Sequence, residues 1–197
     1  SVSFGVAALA QEAGAAVVHR QRGGDELPQL KAMAAEALAV ADVIVITGGA
    51  SVGERDFAKA MLADAAPELL FATLAIKPGK PVWCARARGR WVLGLPGNPT
   101  SAMVTATLLL RPLLARLLGR SSADMLEWRS LPLAAALPAT DARETFTRAV
   151  WRADGLHPLA HQGSDAQAVL AQANWLIRCP AGQAALPKDT MVRALAF

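Results

Sequence analysis

The sequence predicts an α/β domain with three layers and a mostly parallel sheet, followed by a small all-β barrel. Residues 42–46 (Asp-Val-Ile-Val-Ile) form a nearly unbroken β-branched run, which is typical of a strand buried on both faces. Predicted helices lie before and after this strand, and such alternation indicates α/β organisation. After Arg120, short strand-like segments are separated by Pro and Gly, as in small barrels. We therefore expect one domain over 1–120 and a second over 121–197.

The first half of the α/β domain is predicted to alternate helices with strands. Apolar residues at helical spacing predict a helix over 2–13, and Gly14 is suited to end it. A short strand is expected over 15–18. An Ala-rich helix over 29–40 then leads into the buried strand 42–46.

The second half of this domain is predicted to contain a hairpin. A helix over 54–65 and a strand over 68–76 come first. Segments 82–85 and 90–95 then have the pattern of two strands joined across Arg86–Gly89.

A long helix is predicted to begin directly after the hairpin. Asn98 is suited to the N-cap and Pro99 to the first helical position. Pro112 is expected to kink or divide this helix, and Gly119 to close it. In the second domain, we expect a short helix over 166–173 and the strands 145–152, 174–179 and 191–197.

Composition excludes several classes of protein. The 197 residues are 53% hydrophobic, which is enough to build a substantial core. No apolar run of about 18 residues lacks a charge or a proline, so no membrane partner is expected. The two cysteines form no CxxC motif and the three histidines do not cluster, which argues against a disulfide framework and a zinc site. This cysteine usage favours a reducing, cytoplasmic compartment.

The net charge of +4 is unevenly distributed. The excess lies within the first 120 residues and concentrates between Lys77 and Arg90. A sequence pI of about 9.6 is compatible with nucleic-acid binding, but no long basic stripe with interleaved aromatics is present. We therefore expect a small polyanionic ligand and no nucleic-acid partner.

Two motifs carry the candidate site. In the run Lys77-Pro-Gly-Lys-Pro81, each lysine precedes a proline that restricts its backbone, which lowers the entropy lost on binding an anion. The run Leu95-Pro-Gly-Asn-Pro-Thr-Ser101 opens into the long helix, and a helix N-terminus attracts anions. A solvated loop is the alternative interpretation of the lysine motif. The chemistry predicted here is the positioning and charge neutralisation of an anionic substrate.

Further candidates follow the buried strand and lie in the second domain. Thr47-Gly-Gly-Ala-Ser51 follows the strand 42–46, and ligands of open α/β sheets bind beyond the carboxyl ends of strands. Asp56 either interacts with a helix dipole or supplies a carboxylate for a cation or proton. Arg148 could reach an anion or lie on a solvated strand face, and Ser164 could be a helix cap.

These motifs together resemble the C-terminal half of the molybdopterin molybdenumtransferases, the MoeA/gephyrin family. The matching runs are 42–56, 75–81 and 94–102, with weaker matches at Arg148 and 162–164. The resemblance implies a molybdopterin-binding (MoaB/Mog-like) domain and a C-terminal β-barrel. It also implies a homodimer that inserts molybdate into adenylylated molybdopterin with release of AMP, assisted by a divalent cation such as Mg²⁺.

The resemblance also implies roles for individual residues. Asp56 would be the acidic residue near the cation, and Lys77 and Lys80 would hold molybdate or phosphate. The substrate-binding residues would be Thr47, Gly48, Gly49, Ser51, Pro96, Gly97, Asn98, Ser101, Arg148 and Ser164.

Alternatives remain open at this stage. The family's usual first strand and its acidic motif would precede Ser1, so we expect either a fragment of a longer enzyme or a degenerate paralogue. A non-catalytic molybdopterin-binding module and a molybdopterin adenylyltransferase are the other hypotheses. The Lys-Pro-Gly-Lys-Pro motif and the β domain argue against the adenylyltransferase. Molybdate and tungstate are both tetrahedral dianions and are not distinguished by sequence.

Overall fold

A computed structural model describes residues 2–48, 57–121, 125–163 and 167–197 of the chain. Its helices are α1 (Val2–Glu12), α2 (Leu27–Val40), α3 (Phe57–Ala60), α4 (Pro99–Thr105), α5 (Arg111–Leu117) and α6 (Gln167–Gln172). Its strands are β1 (Val43–Thr47), β2 (Glu68–Phe71), β3 (Ile76–Lys77), β4 (Trp83–Ala87), β5 (Arg90–Leu95), β6 (Arg129–Pro132), β7 (Glu144–Arg152), β8 (Gly155–Pro158), β9 (Trp175–Cys179) and β10 (Met191–Ala196).

The first sheet has the strand order β1-β5-β4-β2. The β1–β5 pair is parallel, whereas β5–β4 and β4–β2 are antiparallel. The prediction of a mostly parallel sheet is therefore wrong for the described residues. The cause is local, because Arg88 and Gly89 both have positive φ (49° and 77°) and form a two-residue hairpin turn.

Helices cover both faces of this sheet and make three layers. On one face α1, α4 and α5 pack against alternate residues of the strands, such as Cys84 and Leu93. On the other face α2 and α3 pack against Trp83 and Val92. Side chains of β1 contact the apolar layers on both faces of the sheet, although Ile44 is the only residue of this strand that is buried.

Glycines end two helices as the sequence predicts. Gly14 (φ +96°) donates to the carbonyl of Gln11, and Ala15 donates to that of Ala10. This pair of bonds is the Schellman motif. At the end of α5, Gly119 (φ +74°) donates to the carbonyl of Arg116 and Arg120 donates to that of Ala115, which is the same motif.

Several elements differ from the prediction. The predicted strand 68–76 splits into β2 and β3, and the described part of the predicted helix 54–65 is shortened to α3. Two further differences have a physical reason. Residues 15–18 form no strand, and Val17 and Val18 are exposed, since this short segment has no strand partner among the described residues. The long helix is interrupted by a π-helical turn at Ala106–Leu110, directly before α5 begins. The interruption agrees with the expected effect of Pro112, which cannot donate a helical hydrogen bond.

The second sheet has the order β3-β7-β9-β10-β6, with β8 paired to β7. Strand β3 comes from the first half of the chain and pairs in parallel with β7. The three strands predicted in the second half correspond to β7, β9 and β10. The predicted small barrel is not confirmed, because no continuous ladder closes the sheet among the described residues. A single bridge between Leu133 and Leu156 links the chain beyond β6 to β8.

The two sheets share one buried cluster. Leu95 of β5 and Val104 of α4 belong to the same cluster as Phe146 of β7 and Leu176 of β9. Strand β3 strengthens this connection, since it carries Lys77 into the second sheet. No helix in the described part of the chain is long and apolar enough to cross a membrane.

Candidate functional site

Two turns meet at the carboxyl ends of the parallel strands β1 and β5. Thr47 pairs with Leu95 in the last register position, and the N–H of Gly48 donates to the carbonyl of Leu95 over 3.4 Å. A Cβ on Gly97 would lie 3.3 Å from the Cα of Gly48, so the two turns are nearly in van der Waals contact. Gly48 has φ +88°, and a Cβ added to it would meet no atom of the described residues within 4 Å, which leaves room there for a ligand to approach the backbone.

The turn after β5 leads directly into α4. Asn98 is the N-cap, and its side-chain oxygen accepts from the N–H groups of Thr100 (3.1 Å) and Ser101 (3.4 Å). Pro99 occupies the first turn, as predicted. Thr100 and Ser101 are both buried, and the Thr100 hydroxyl has no hydrogen-bond partner among the described residues.

The lysine loop packs against the C-terminal end of α4. Gly79 has φ +117°, and a Cβ on it would overlap with Cγ2 of Thr105. The loop is closed by two backbone bonds, from Leu74 to the carbonyl of Lys80 (3.1 Å) and from Val82 to that of Gly79 (3.0 Å). Thr105 lies six residues beyond Pro99, about 9 Å along the helix axis. The lysine loop and the capped helix end are therefore neighbours on one helix.

The two lysines differ in their surroundings. Lys77 is half exposed, and its Nζ lies 3.9 Å from Oδ2 of Asp141. Arg143 donates to the same carboxylate from its backbone N–H (2.8 Å) and its guanidinium (3.0 Å). These bonds from Arg143, and to a smaller extent the charge of Lys77, lower the pKa of Asp141. Lys80 is exposed and forms no ion pair within the described part of the chain.

Arg148 is fully buried in β7. Its Nη2 donates to the carbonyls of Gly163 (3.2 Å) and His161 (3.5 Å), and it pairs with no carboxylate among the described residues. Burial lowers the pKa of its guanidinium. Arg148 lies three residues beyond Thr145, the partner of Lys77 in the sheet, which is about 10 Å along the strand.

The structure brings eight of the predicted site residues to this region. Thr47, Gly48, Pro96, Gly97, Asn98 and Ser101 lie at the strand ends and helix start, and Lys77 and Lys80 lie in the loop on α4. Gly49, Ser51, Asp56 and Ser164 lie outside the described residues.

Sequence reasoning missed three residues beside the predicted ones, namely Thr105, Asp141 and Gln162. In the sequence, Thr105 has the pattern of any other residue of the long helix. Asp141 is far from Lys77 along the chain. No local sequence signal therefore identifies either residue as part of the site. Gln162 falls in a motif that sequence reasoning noted, but its hydrogen bonds to Arg148 were not foreseen.

A divalent cation has no candidate site in the parts of the chain described above. Residues 2–48, 57–121, 125–163 and 167–197 contain no group of three His, Cys, Asp or Glu side chains that could hold a metal ion. Asp56, the predicted ligand, is outside these ranges. Both cysteines are free and buried, and burial raises the pKa of each thiol, so neither is suited to act as a metal ligand or nucleophile.

Comparison with known proteins relates this chain to one family. A family model described as "Probable molybdopterin binding domain" matches residues 3–116. A molybdopterin molybdenumtransferase from Haemophilus influenzae is 39% identical over 108 residues, which are 55% of this chain and 25% of that protein. Molybdopterin molybdenumtransferase 2 from Mycobacterium tuberculosis is 32% identical over 155 residues, covering 76% of this chain and 38% of that protein.

A solved structure extends the likeness to the fold. The molybdopterin biosynthesis MoeA protein from Pyrococcus horikoshii superposes with a TM-score of 0.72 at 30% identity, covering 87% of this chain and 41% of that one. The chain spans less than half the length of each of these three proteins.

Proposed function

This chain belongs to the molybdopterin molybdenumtransferase (MoeA) family, and we propose that it binds adenylylated molybdopterin and molybdate. In the proposed reaction, molybdate is inserted into the pterin substrate and AMP is released, giving the molybdenum cofactor. The chain would supply the substrate-binding surface of a transferase that is longer than these 197 residues, in keeping with the length of its relatives.

The observation that carries this proposal is the close approach of Gly97 to Gly48. It brings the turns after β1 and β5 together at one edge of the sheet, beside the start of α4. Glycines let an anion approach the backbone closely, and the dipole of a helix attracts negative charge to its N-terminus. We assign the pterin phosphate to this edge, formed by Thr47, Gly48, Gly97 and Ser101. Pro96, Asn98, Gly49 and Ser51 complete the proposed binding set.

Molybdate is assigned to the lysine loop. Two ammonium groups on one short loop repel each other, and a dianion between them removes that repulsion. Lys77 is partly compensated by Asp141, while Lys80 has no ion pair among the described residues. The packing of Gly79 on Thr105 holds this loop beside α4, so that molybdate would lie near the pterin phosphate. The lysines then act by positioning and neutralising charge.

Other parts of the proposal concern the second sheet and the cation. Arg148 and Ser164 would contact an anionic group of the substrate from the second sheet. Asp56 would bind Mg²⁺, and the roles proposed for the other residues do not depend on that ion. We further propose a domain boundary near residue 120, a C-terminal barrel in the complete protein, a homodimer and a cytoplasmic location.

The second candidate function is binding without catalysis. It is favoured by the family model that matches residues 3–116, whose description names binding of molybdopterin and no reaction. A binding module would hold adenylylated molybdopterin with the same residues and would not release AMP.

The test is an assay of AMP release. The purified chain is mixed with adenylylated molybdopterin and Mg²⁺, with and without molybdate, and AMP is measured by chromatography. Release that requires molybdate supports the transferase, whereas binding of the pterin without release supports the binding module. Absence of both binding and release would contradict the proposed function.

A further inference from the structure

The guanidinium of Arg148 is held by neutral groups alone among the described residues. Its side chain is 0% exposed, and its two hydrogen-bond acceptors are the main-chain carbonyls of His161 and Gly163. Its Nε and Nη1 have no partner among the described residues. A buried cation that keeps unpaired donors is unfavourable unless another group completes its coordination.

Gln162 fastens the loop that supplies those two carbonyls. Its Oε1 accepts from the N–H of Arg148 at 2.9 Å, and its Nε2 donates to the carbonyl of Arg148 at 2.8 Å. Nε2 also donates to the carbonyl of Leu159 at 2.7 Å. The side-chain amide of Gln162 thus pairs with β7 as a neighbouring strand would, just where β8 has ended at Pro158.

We infer that Gln162 is a positioning residue for Arg148. By pinning the loop at both backbone groups of Arg148, it keeps the carbonyls of His161 and Gly163 in place around Nη2. Nε and Nη1 are then the atoms left to meet an oxyanion of the substrate. The inference rests on the proposed function, in which Arg148 contacts an anionic group.

The position of the loop supports this coupling. Four residues after Gly163, the chain enters α6, which contacts both β7 and α4. Helix α4 is the helix whose N-cap is Asn98 and on which the lysine loop packs. The segment held by Gln162 therefore connects Arg148 with the helix at the proposed anion site.

The experiment is a double-mutant cycle on binding. Calorimetry on the full chain gives Kd for two separate probes, adenylylated molybdopterin and inorganic molybdate, and so identifies which oxyanion depends on Arg148. The variants are Gln162→Met, Arg148→Met and the double variant. Gln172→Met on the exposed face of α6 is the matched control. Thermal unfolding is followed in parallel.

We expect Gln162→Met to weaken one probe by about tenfold, since the loop would no longer hold the carbonyls of His161 and Gly163 that bond to the charged guanidinium. Arg148→Met should weaken the same probe at least as much. The double variant should bind no more weakly than Arg148→Met alone, because the glutamine acts through the arginine. Gln172→Met should match the parent.

Two results would overturn the inference about Gln162 without contradicting the proposed function. One is a Gln162→Met variant with a lowered Tm and an unchanged Kd while Arg148→Met binds weakly. The other is an additive double variant. If Arg148→Met binds both probes like the parent, the role proposed for Arg148 fails and the inference fails with it. If the parent binds neither probe, the proposed function is contradicted.

A second variant covers the case in which Gln162→Met does not fold. Gln162→Glu keeps the acceptor for the Arg148 N–H and loses the two donor bonds. It also adds a carboxylate that competes for the guanidinium, so we expect weaker binding of the same probe. Binding equal to the parent in this variant would overturn the inference.

Discussion

Gly79 packs against Thr105 so closely that a Cβ on the glycine would overlap with the threonine methyl group. This contact holds the loop of Lys77 and Lys80 on helix α4, whose first turn is capped by Asn98. Two motifs that are separated by a hairpin in sequence therefore lie on the same helix.

Replacing Gly79 with alanine is expected to destabilise the protein and displace the lysine loop. We expect a loss of about 3 kcal/mol in unfolding free energy, measured by urea denaturation, from overpacking together with a positive φ. Gly89→Ala is the control, since Gly89 also has positive φ but its added Cβ would have no atom of the described residues within 4 Å. It should lose only about 1 kcal/mol.

Removing the methyl group of Thr105 tests whether its clash with the added Cβ causes the loss of stability in Gly79→Ala. Thr105→Ser removes the methyl group and keeps the hydroxyl that donates to the carbonyl of Ser101 at 2.7 Å. Added to Gly79→Ala, it should recover part of the lost stability. No recovery would mean that backbone strain at Gly79, and not contact with α4, dominates.

The two roles of Asn98 can be separated by two substitutions. Asn98→Ala removes the acceptor for two backbone N–H groups and should cost about 1 kcal/mol in unfolding free energy. Asn98→Asp keeps the acceptor and favours the helix dipole, so stability should be retained. Its negative charge should nevertheless weaken oxyanion binding, as measured by calorimetry. Equal binding by Asn98→Asp and the parent would place the anion elsewhere.

Asp141 is expected to titrate below the ordinary carboxyl value of about 3.9. Bonds from Arg143 lower its pKa, so the carboxylate stabilises the fold above the unfolded pKa. That contribution is lost as pH falls through the lower folded pKa. In a carbon-detected NMR titration, Arg143→Gln should raise the pKa of Asp141, and Lys77→Gln should raise it less. Arg152→Gln, which removes a charge at the exposed last residue of β7, is the control and should leave the pKa of Asp141 unchanged. An equally unchanged pKa in Arg143→Gln would contradict this account.

Local chemistry made several features predictable from sequence. The Schellman ends at Gly14 and Gly119 and the cap at Asn98 each depend on a few neighbouring residues. The hairpin 83–95 was predictable for the same reason, because its two-residue turn contains Gly89. The rule for strand ends in α/β sheets pointed to the turn after β1, but its close approach to Gly97 depends on the pairing of β1 with β5.

Features that depend on distant pairing were not predictable. Nothing near Ile76 indicates that β3 joins β7, which is almost 70 residues away in sequence. For the same reason, neither the ion pair of Lys77 with Asp141 nor the Gln162 side chain acting as a strand could be foreseen. The predicted strand at 15–18 failed because propensity cannot supply a partner.

The most direct test of the central claim, that the lysine loop binds the anion, is the affinity of the chain for molybdate in the variant Lys77→Ala/Lys80→Ala. Lys31→Ala/Lys188→Ala removes the same charge away from the loop and is the control. Lys31 lies on α2 and bonds to Asp64, and Lys188 lies near Asp154, at the end of β7 opposite to the Lys77 partner Thr145. We predict that Kd rises by at least about tenfold in the loop variant, because each ammonium contributes directly to holding the dianion. The control should stay close to the parent. Equal affinities in the two double variants would contradict the account.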